Sequence, residues 1–159
     1  MKILTGKSSK WFAVIDGDDI VVRKVIATAF GGGHDAGDDG QTESGILNDG
    51  SNPTLMGCAL PIRSIEKATA GSPLAFAGAH IPWGTLVRVW REVDGEDTAI
   101  TVQLIDNGPN QEECPTHGID LTVYAASHFA LTIPIHLIAN DWEATGFSYR
   151  ILGAAKYAA

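Results

Sequence analysis

Basic residues, long apolar runs and cysteines are all scarce in this chain, and each scarcity excludes something. Eleven Lys and Arg stand against nineteen Asp and Glu, a formal charge of −8. Such a chain repels phosphate backbones and lacks the electrostatic term behind non-specific nucleic-acid binding, so nucleic acid is set aside as the main partner. The longest apolar stretches, such as His128 to Ala139, are too short and too interrupted for the about 20 residues that span a bilayer, so no membrane insertion is expected. The opening residues Met1 to Lys7 carry neither the apolar core nor the small-residue cleavage site of a secretory signal. Cys58 and Cys114 are the only cysteines and lie 56 positions apart. They form neither a CxxC redox pair nor a thiolate zinc cluster. One disulfide between them and two unpaired thiols are the two readings that remain.

What is present reads as one β-rich domain. The chain has 159 residues, 45% of them apolar and 19% charged, with 18 glycines. That length and balance fit a single packed domain, and the glycine share calls for many chain reversals. Trp11 to Ile15 and Ile20 to Val22 are β-branched runs joined by an Asp-Gly turn, a hairpin leading into a further strand over Val25 to Phe30. Residues 31 to 53 hold almost no large apolar group, and a loop of that length in so small a domain is either functional or disordered. A short strand is expected over Met56 to Leu60, and Arg63 to Gly78 is ambiguous, with room for a helical turn before Pro73. Thr85 to Trp90 and Ala99 to Ile105 alternate as a strand pair around Asp94 to Asp97. A helix is expected from Thr122 to Ala130, with Thr122 or Leu121 near its cap, and Phe147 to Leu152 reads as a last strand. Six or seven short strands with one small helix point to a closed barrel without long edges.

Two aspartates carry the chemistry. Asp106 follows the apolar run Val102 to Ile105, and Asn107-Gly108-Pro109 turns the backbone sharply away from it. Asp120 lies between Ile119 and Leu121. A carboxyl flanked by buried residues is desolvated, which raises its pKa toward values useful for general acid work. The plain alternative for each is a turn-forming or capping aspartate; their occurrence together beside a long acidic loop favours chemistry. Other patterns are weaker. Asp35 to Gly40 has the outline of a calcium loop, but Gly37 and Ile46 occupy ligand positions. His34, His117 and His128 share no zinc spacing. Gly31 to Gly33 lacks the lysine of a phosphate loop. No metal and no cofactor are expected. Among Trp11, Trp83, Trp90 and Trp142, Trp83 beside a turn is the best candidate for stacking on a sugar, while Trp90 on an alternating strand reads as core.

Six fragments occur in an order that carries a resemblance: Thr28 to Gly32, Thr42 to Gly45, Gly57 to Pro61, Pro82 to Val89, Ile105 to Pro109 and Gly118 to Leu121. Together they resemble the double-psi β-barrel superfamily. The set looks like the rare lipoprotein A domain and is similar to the three-aspartate domain, the membrane-bound lytic transglycosylase A barrel, expansins and family-45 endoglucanases. The resemblance covers about residues 27 to 152. Ile46 stands where the rare lipoprotein A pattern has a glutamate, Asn107 where it has an arginine, and His80 lies two residues ahead of Pro82 where the family histidine lies four ahead.

The resemblance implies a mainly β fold: a six-stranded double-psi β-barrel over 27–153 with one or two short helices, an N-terminal β-hairpin extension over 1–26 and a tail over 154–159. It also implies a groove for a polysaccharide, peptidoglycan or another β-1,4-linked glycan, cleaved in the manner of a lytic transglycosylase or glycoside hydrolase. Asp106 and Asp120 would be catalytic, Asp106 as general acid and base and Asp120 as the second carboxylate or as electrostatic support. Thr42, Glu43, His80, Trp83, Asn107 and Tyr124 would contact substrate. A non-catalytic expansin-like carbohydrate-binding module and a phage or secretion-associated structural barrel are the alternatives. A monomer is expected, working in the periplasm, the cell wall or outside the cell, a location inferred from the substrate class alone.

Overall fold

The computed structural model describes residues 2–5, 12–62, 80–110, 113–114 and 116–157. Trp11 and the whole of the ambiguous 63–78 segment lie outside the described residues. Eight strands are present among them: β1 (Lys2–Thr5), β2 (Phe12–Asp16), β3 (Asp19–Phe30), β4 (Gly57–Leu60), β5 (Leu86–Arg91), β6 (Ile100–Asn107), β7 (His117–Thr122) and β8 (Glu143–Ile151). Two short helices, α1 (Val123–Ser127) and α2 (Ile138–Asp141), and three single turns of 3-10 helix complete the described elements.

Six strands close into a barrel in the order β3-β7-β4-β6-β5-β8, and β8 returns to β3. Two neighbouring pairs, β3–β7 and β4–β6, are parallel and the other four antiparallel. Closure leaves the barrel without a free edge. Outside it, β2 pairs antiparallel with β3 and β1 with β2. The Asp-Gly turn therefore joins β2 to β3, as the sequence pattern predicts.

The run expected as two strands is one. β3 has 12 residues and passes from the hairpin into the barrel, with Ile20 to Val22 already paired to Ile151, Arg150 and Tyr149 of β8. Residue 26, the expected border of the extension, lies inside this strand. A break occurs at Lys24, which has a positive φ of 60° and whose amide donates to Ser148 Oγ at 3.3 Å. The pairing with β8 slips on either side of Val25.

Alternation along the strands sorts side chains into two layers. Val25, Ala27, Ala29, Cys58, Leu60, Val87, Val89, Val102, Leu104, Ile119, Leu121, Phe147, Tyr149 and Ile151 fill the barrel. Phe30, Leu55, Ala59 and Ile105 form a second, smaller cluster with Ile46 packed against it. This second cluster seats the 31–56 segment, which has no helix or strand, on the outer barrel surface. Its anchor is Asn48, only 4% exposed. The Asn48 side-chain amide donates to Phe30 O at 3.0 Å, while its backbone accepts from Gly32 N and donates to Gly40 O, both at 2.8 Å. Gly31 fits only because it has no side chain: a Cβ there would overlap Asn48, and its φ is +71°.

Candidate functional site

The two aspartates expected to act together sit on one row that crosses five strands. In register, Glu143 of β8 faces Thr28 of β3, Thr28 faces Asp120 of β7, Asp120 faces Ala59 of β4, and Ala59 faces Asp106 of β6. Thr28, Asp120 and Ala59 each lie between residues that point into the barrel core, so the row belongs to the outer face. Asp106 reaches the row through a bulge. Cys58 pairs with Leu104 and the next residue, Ala59, pairs with Asp106, so Ile105 is the extra residue. Bulges of this kind re-aim side chains and are common beside active sites. Two strand spacings separate the aspartate backbones, about 9–10 Å.

Asp120, like Asp106, is half-buried as a residue, but its carboxyl group is largely shut off from water. Its Oδ1 accepts the Thr28 hydroxyl in a short hydrogen bond. Burial pushes its pKa up, and the charges of Asp35 and Asp106 push it further, against the Thr28 hydrogen bond and the opposing pull of His117. Gly108 lies against its other oxygen: a Cβ at Gly108 would stand 3.8 Å from Asp120 Oδ2. Asp106 is half-buried and held by backbone amides, with Oδ1 accepting from Glu43 N at 3.1 Å and Asn107 N at 2.9 Å. Ser44 N donates to Ile105 O at 3.1 Å, so the loop and β6 are joined at two successive residues.

The acidic loop closes over this row. Asp35 accepts from Gly31 N and Gly37 N, both at 3.0 Å. Asp38 accepts from Gly40 N at 2.8 Å; burial raises its pKa, and repulsion from Asp35, Asp39 and Asp106 raises it further against the Gly40 bond. The carboxylates of the loop and of the row thus act on one another electrostatically. No group of three or more His, Cys, Asp or Glu is arranged to hold a metal ion among the described residues.

The remaining expected site residues are spread around this centre. Glu43 reaches Asp106 through its backbone amide, with its residue exposed. The Thr42 hydroxyl is spent inside the loop, 2.6 Å from Ile46 O and 2.9 Å from Ser44 Oγ. Asn107 binds Asp106 through its backbone amide. Trp83 is 41% exposed on the Pro82–Thr85 turn, which is tied to β6 by Gly84 N to Leu104 O at 2.8 Å and Leu104 N to Thr85 O at 2.9 Å. That turn brings Trp83 toward the end of β6 that carries Asp106. His80 is exposed just ahead of buried Ile81, on the approach to β5. Trp90 and Trp142 are buried, the latter edge-on to Phe147 at 5.6 Å, so both are core.

Tyr124 is placed elsewhere. It lines a cavity of about 200 Å³ between the loop and α1, together with Asn48, Asn52, Leu55, Val123 and Ile135 among others, and neither aspartate lines it. Cys58 and Cys114 are both free thiols. Cys58 lies in the barrel core, where burial raises its pKa far above the thiol range.

Sequence reasoning missed Thr28, His117 and Glu143. Thr28 stands inside the Thr28-Ala29-Phe30 fragment, and period-2 alternation places it on the outer face, but nothing local tells which residue it meets. His117 joins the site through a close contact with Glu143, Nε2 to Oε1 at 2.9 Å, at the start of the strand that carries Asp120. No protein-family model and no curated protein sequence matches this chain.

Proposed function

We propose that this protein cleaves a glycosidic bond in an uncharged β-1,4-linked glycan, with Asp120 as the proton donor and Asp106 as the second carboxylate. One observation carries the reading: two carboxyl groups share a single outer-face row, and desolvation raises the pKa of one of them, Asp120. This reverses the roles expected from sequence, where Asp106 is the acid. In the proposed step Asp120 gives its proton to the glycosidic oxygen as the bond to the anomeric carbon breaks. Asp106 takes a proton from a water whose oxygen bonds to that carbon.

Three further features support the reading. The six-stranded barrel with two parallel pairs is compatible with the double-psi topology that the sequence fragments resemble. The acidic loop over the row disfavours an anionic polymer, which favours a neutral β-1,4 glucan over peptidoglycan with its acidic peptide stems. Trp83 offers an exposed aromatic face at the end of the row. A protein acting on such polymers works in the periplasm, the wall or outside the cell.

The test is product analysis. Purified sacculi and β-1,4 oligosaccharides are incubated with the protein and with Asp120→Asn and Asp106→Asn variants, and released sugars are identified by mass spectrometry. Turnover is expected with hydrolysed ends, falling about 100-fold or more in each variant. Anhydro ends would instead assign a lytic transglycosylase that needs only one acid. Release that is undetectable, or unchanged in both variants, overturns the enzymatic reading; binding to insoluble glycan without release would assign a carbohydrate-binding module.

A further inference from the structure

One face of this acidic protein carries no charge. From Leu121 to Asn140 and from Gly50 to Ile62 the sequence holds no Asp, Glu, Lys or Arg, and the fold brings parts of both stretches together around the cavity that Tyr124 lines. The lining of that cavity likewise includes none of these residue types among the described residues. Asp35 and Asp49, the acids beside it in sequence, are turned back onto their own loop. Asp35 accepts from the Gly31 and Gly37 amides, and Asp49 from the Ser51 amide at 2.9 Å.

The same face leaves its own apolar groups uncovered. Beyond α1 the chain runs from Leu131 to Leu137, where Leu131 is 82% exposed, Ile135 51% and Leu137 39%. Single exposed apolar residues are ordinary, but three in so short a segment form a patch of the kind that marks an interaction surface. Hydrogen bonds fix the segment in place. Ala130 N donates to Ala126 O and Leu137 N to Pro134 O, both at 2.9 Å, and the Asn140 side-chain amide donates to His34 O at 2.7 Å. A surface already fixed loses little freedom on association.

Projection and receptor occur together here. The cavity, about 200 Å³ with Leu55, Val123, Tyr124 and Ile135 in its wall, has room for one aliphatic side chain, since apolar cavities of about 150 Å³ take up benzene. Leu131, the projecting group, lies four residues before Ile135. A two-fold contact between identical chains needs one patch that holds both parts. Charge selects the partner. A chain of formal charge −8 repels its own copies over most of its surface, and a basic partner is drawn to the acidic loop instead. Across the uncharged face, two copies meet without bringing carboxylates together.

We propose that this face is the interface of a two-fold symmetric homodimer, in which Leu131 of each copy enters the cavity of the other. The dimer takes the place of the monomer expected from sequence, and it does not depend on the glycan reading. The patch is small beside a standard interface, so association is weak, with a Kd of about 10–100 μM.

The test is sedimentation equilibrium with light scattering on the full chain, from about 1 μM to about 1 mM. A reversible equilibrium between one and two copies is expected. Leu131→Glu removes the projection and sets an acid against the partner, and Ile135→Trp fills the cavity; both positions are exposed, so melting temperatures hold. Each variant is expected to weaken association about tenfold or more. Val93→Glu is the control: Val93 is 81% exposed on the turn after β5, takes no part in the cavity lining, and its variant is expected to associate as the parent does. A chain that stays monomeric throughout, association that survives either Leu131→Glu or Ile135→Trp, an equal loss in Val93→Glu, or growth beyond two copies overturns the proposal.

Discussion

Thr28 stands opposite Asp120 across the parallel β3–β7 pair and donates its hydroxyl to the Oδ1 of that acid. This hydrogen bond favours the carboxylate form, while burial favours the acid form. Thr28 therefore tunes the proton without touching substrate. In Thr28→Val the donor is lost and the shape kept, so the pKa of Asp120 moves further up. Activity that needs protonated Asp120 then persists to higher pH, and the alkaline limb of the kcat/KM profile shifts in that direction. A carboxyl-carbon NMR titration of Asp120 checks the same shift without substrate. A downward shift would mean that the hydroxyl accepts from the protonated acid instead.

The stability of the protein should carry the opposite mark of the same group. The raised pKa of Asp120 means that the fold holds its proton more tightly than the unfolded chain, where aspartate titrates near 3.8. That stabilisation is complete below the unfolded value and is lost as pH rises through the folded one. Asparagine is uncharged throughout and keeps an oxygen for Thr28. Asp120→Asn should thus melt above the parent at pH 7, by about 2–4 °C for each kcal/mol recovered in a chain of this size. Thermal melts from pH 3 to pH 8 would show the gap closing below about pH 4.

The covering loop depends on one side chain. Asn48→Ala leaves the carbonyl of Phe30 without its donor in a buried setting, which costs about 1–3 kcal/mol. Hydrogen exchange should then rise at Gly32 and Ser44 amides ahead of the barrel strands. Unchanged protection at Ser44 would mean that its bond to Ile105 O holds the loop alone.

Gly118 tests the packing of β7 on β3. A Cβ at this buried position would come 2.5 Å from Val25 Cβ, in the middle of a strand pair. Gly118→Ala should destabilise by about 1–3 kcal/mol through overpacking. Gly37→Ala is the control: its Cβ would meet only Asp35 Oδ1, at 3.7 Å, and chemical denaturation should find it near neutral.

Trp83 separates binding from folding. Because it is largely exposed, Trp83→Ala should leave the melting temperature within about 1 °C, as surface changes usually do. Affinity for β-1,4 oligosaccharides should drop several-fold in the same variant, as measured by intrinsic fluorescence or calorimetry. Undiminished affinity would remove Trp83 from the groove.

Much of the barrel was legible because its signals are local. Asp16-Gly17 marked a hairpin, alternation marked β5 and β6, and the burial of Trp90 followed from its place on an alternating strand. The two acids drew attention for a local reason too, Asp106 at the end of an apolar run and Asp120 between Ile119 and Leu121. Their relationship was not legible. The contact of Thr28 with Asp120 comes about only through the parallel pairing of strands about ninety residues apart. Tyr124, expected to contact substrate, follows the passage from β7 into α1 and lines the cavity there. The continuity of β3 through Lys24 was hidden because a positive φ at a lysine has no sequence signal.

The barrel is sealed where β3, its first strand, meets β8, its last, with Ile20 against Ile151. Neither β3 nor β8 can finish its hydrogen bonding until residues 143–151 have been made, and the closing pair gains nothing from proximity in sequence. Such non-local pairing carries a high loop-closure cost before any return. Folding in the slow range of β-rich domains, milliseconds to seconds, follows from this one seam. Until it closes, β3 is an unpaired apolar edge, so expression and refolding yields should be governed by how fast the C-terminal strand arrives.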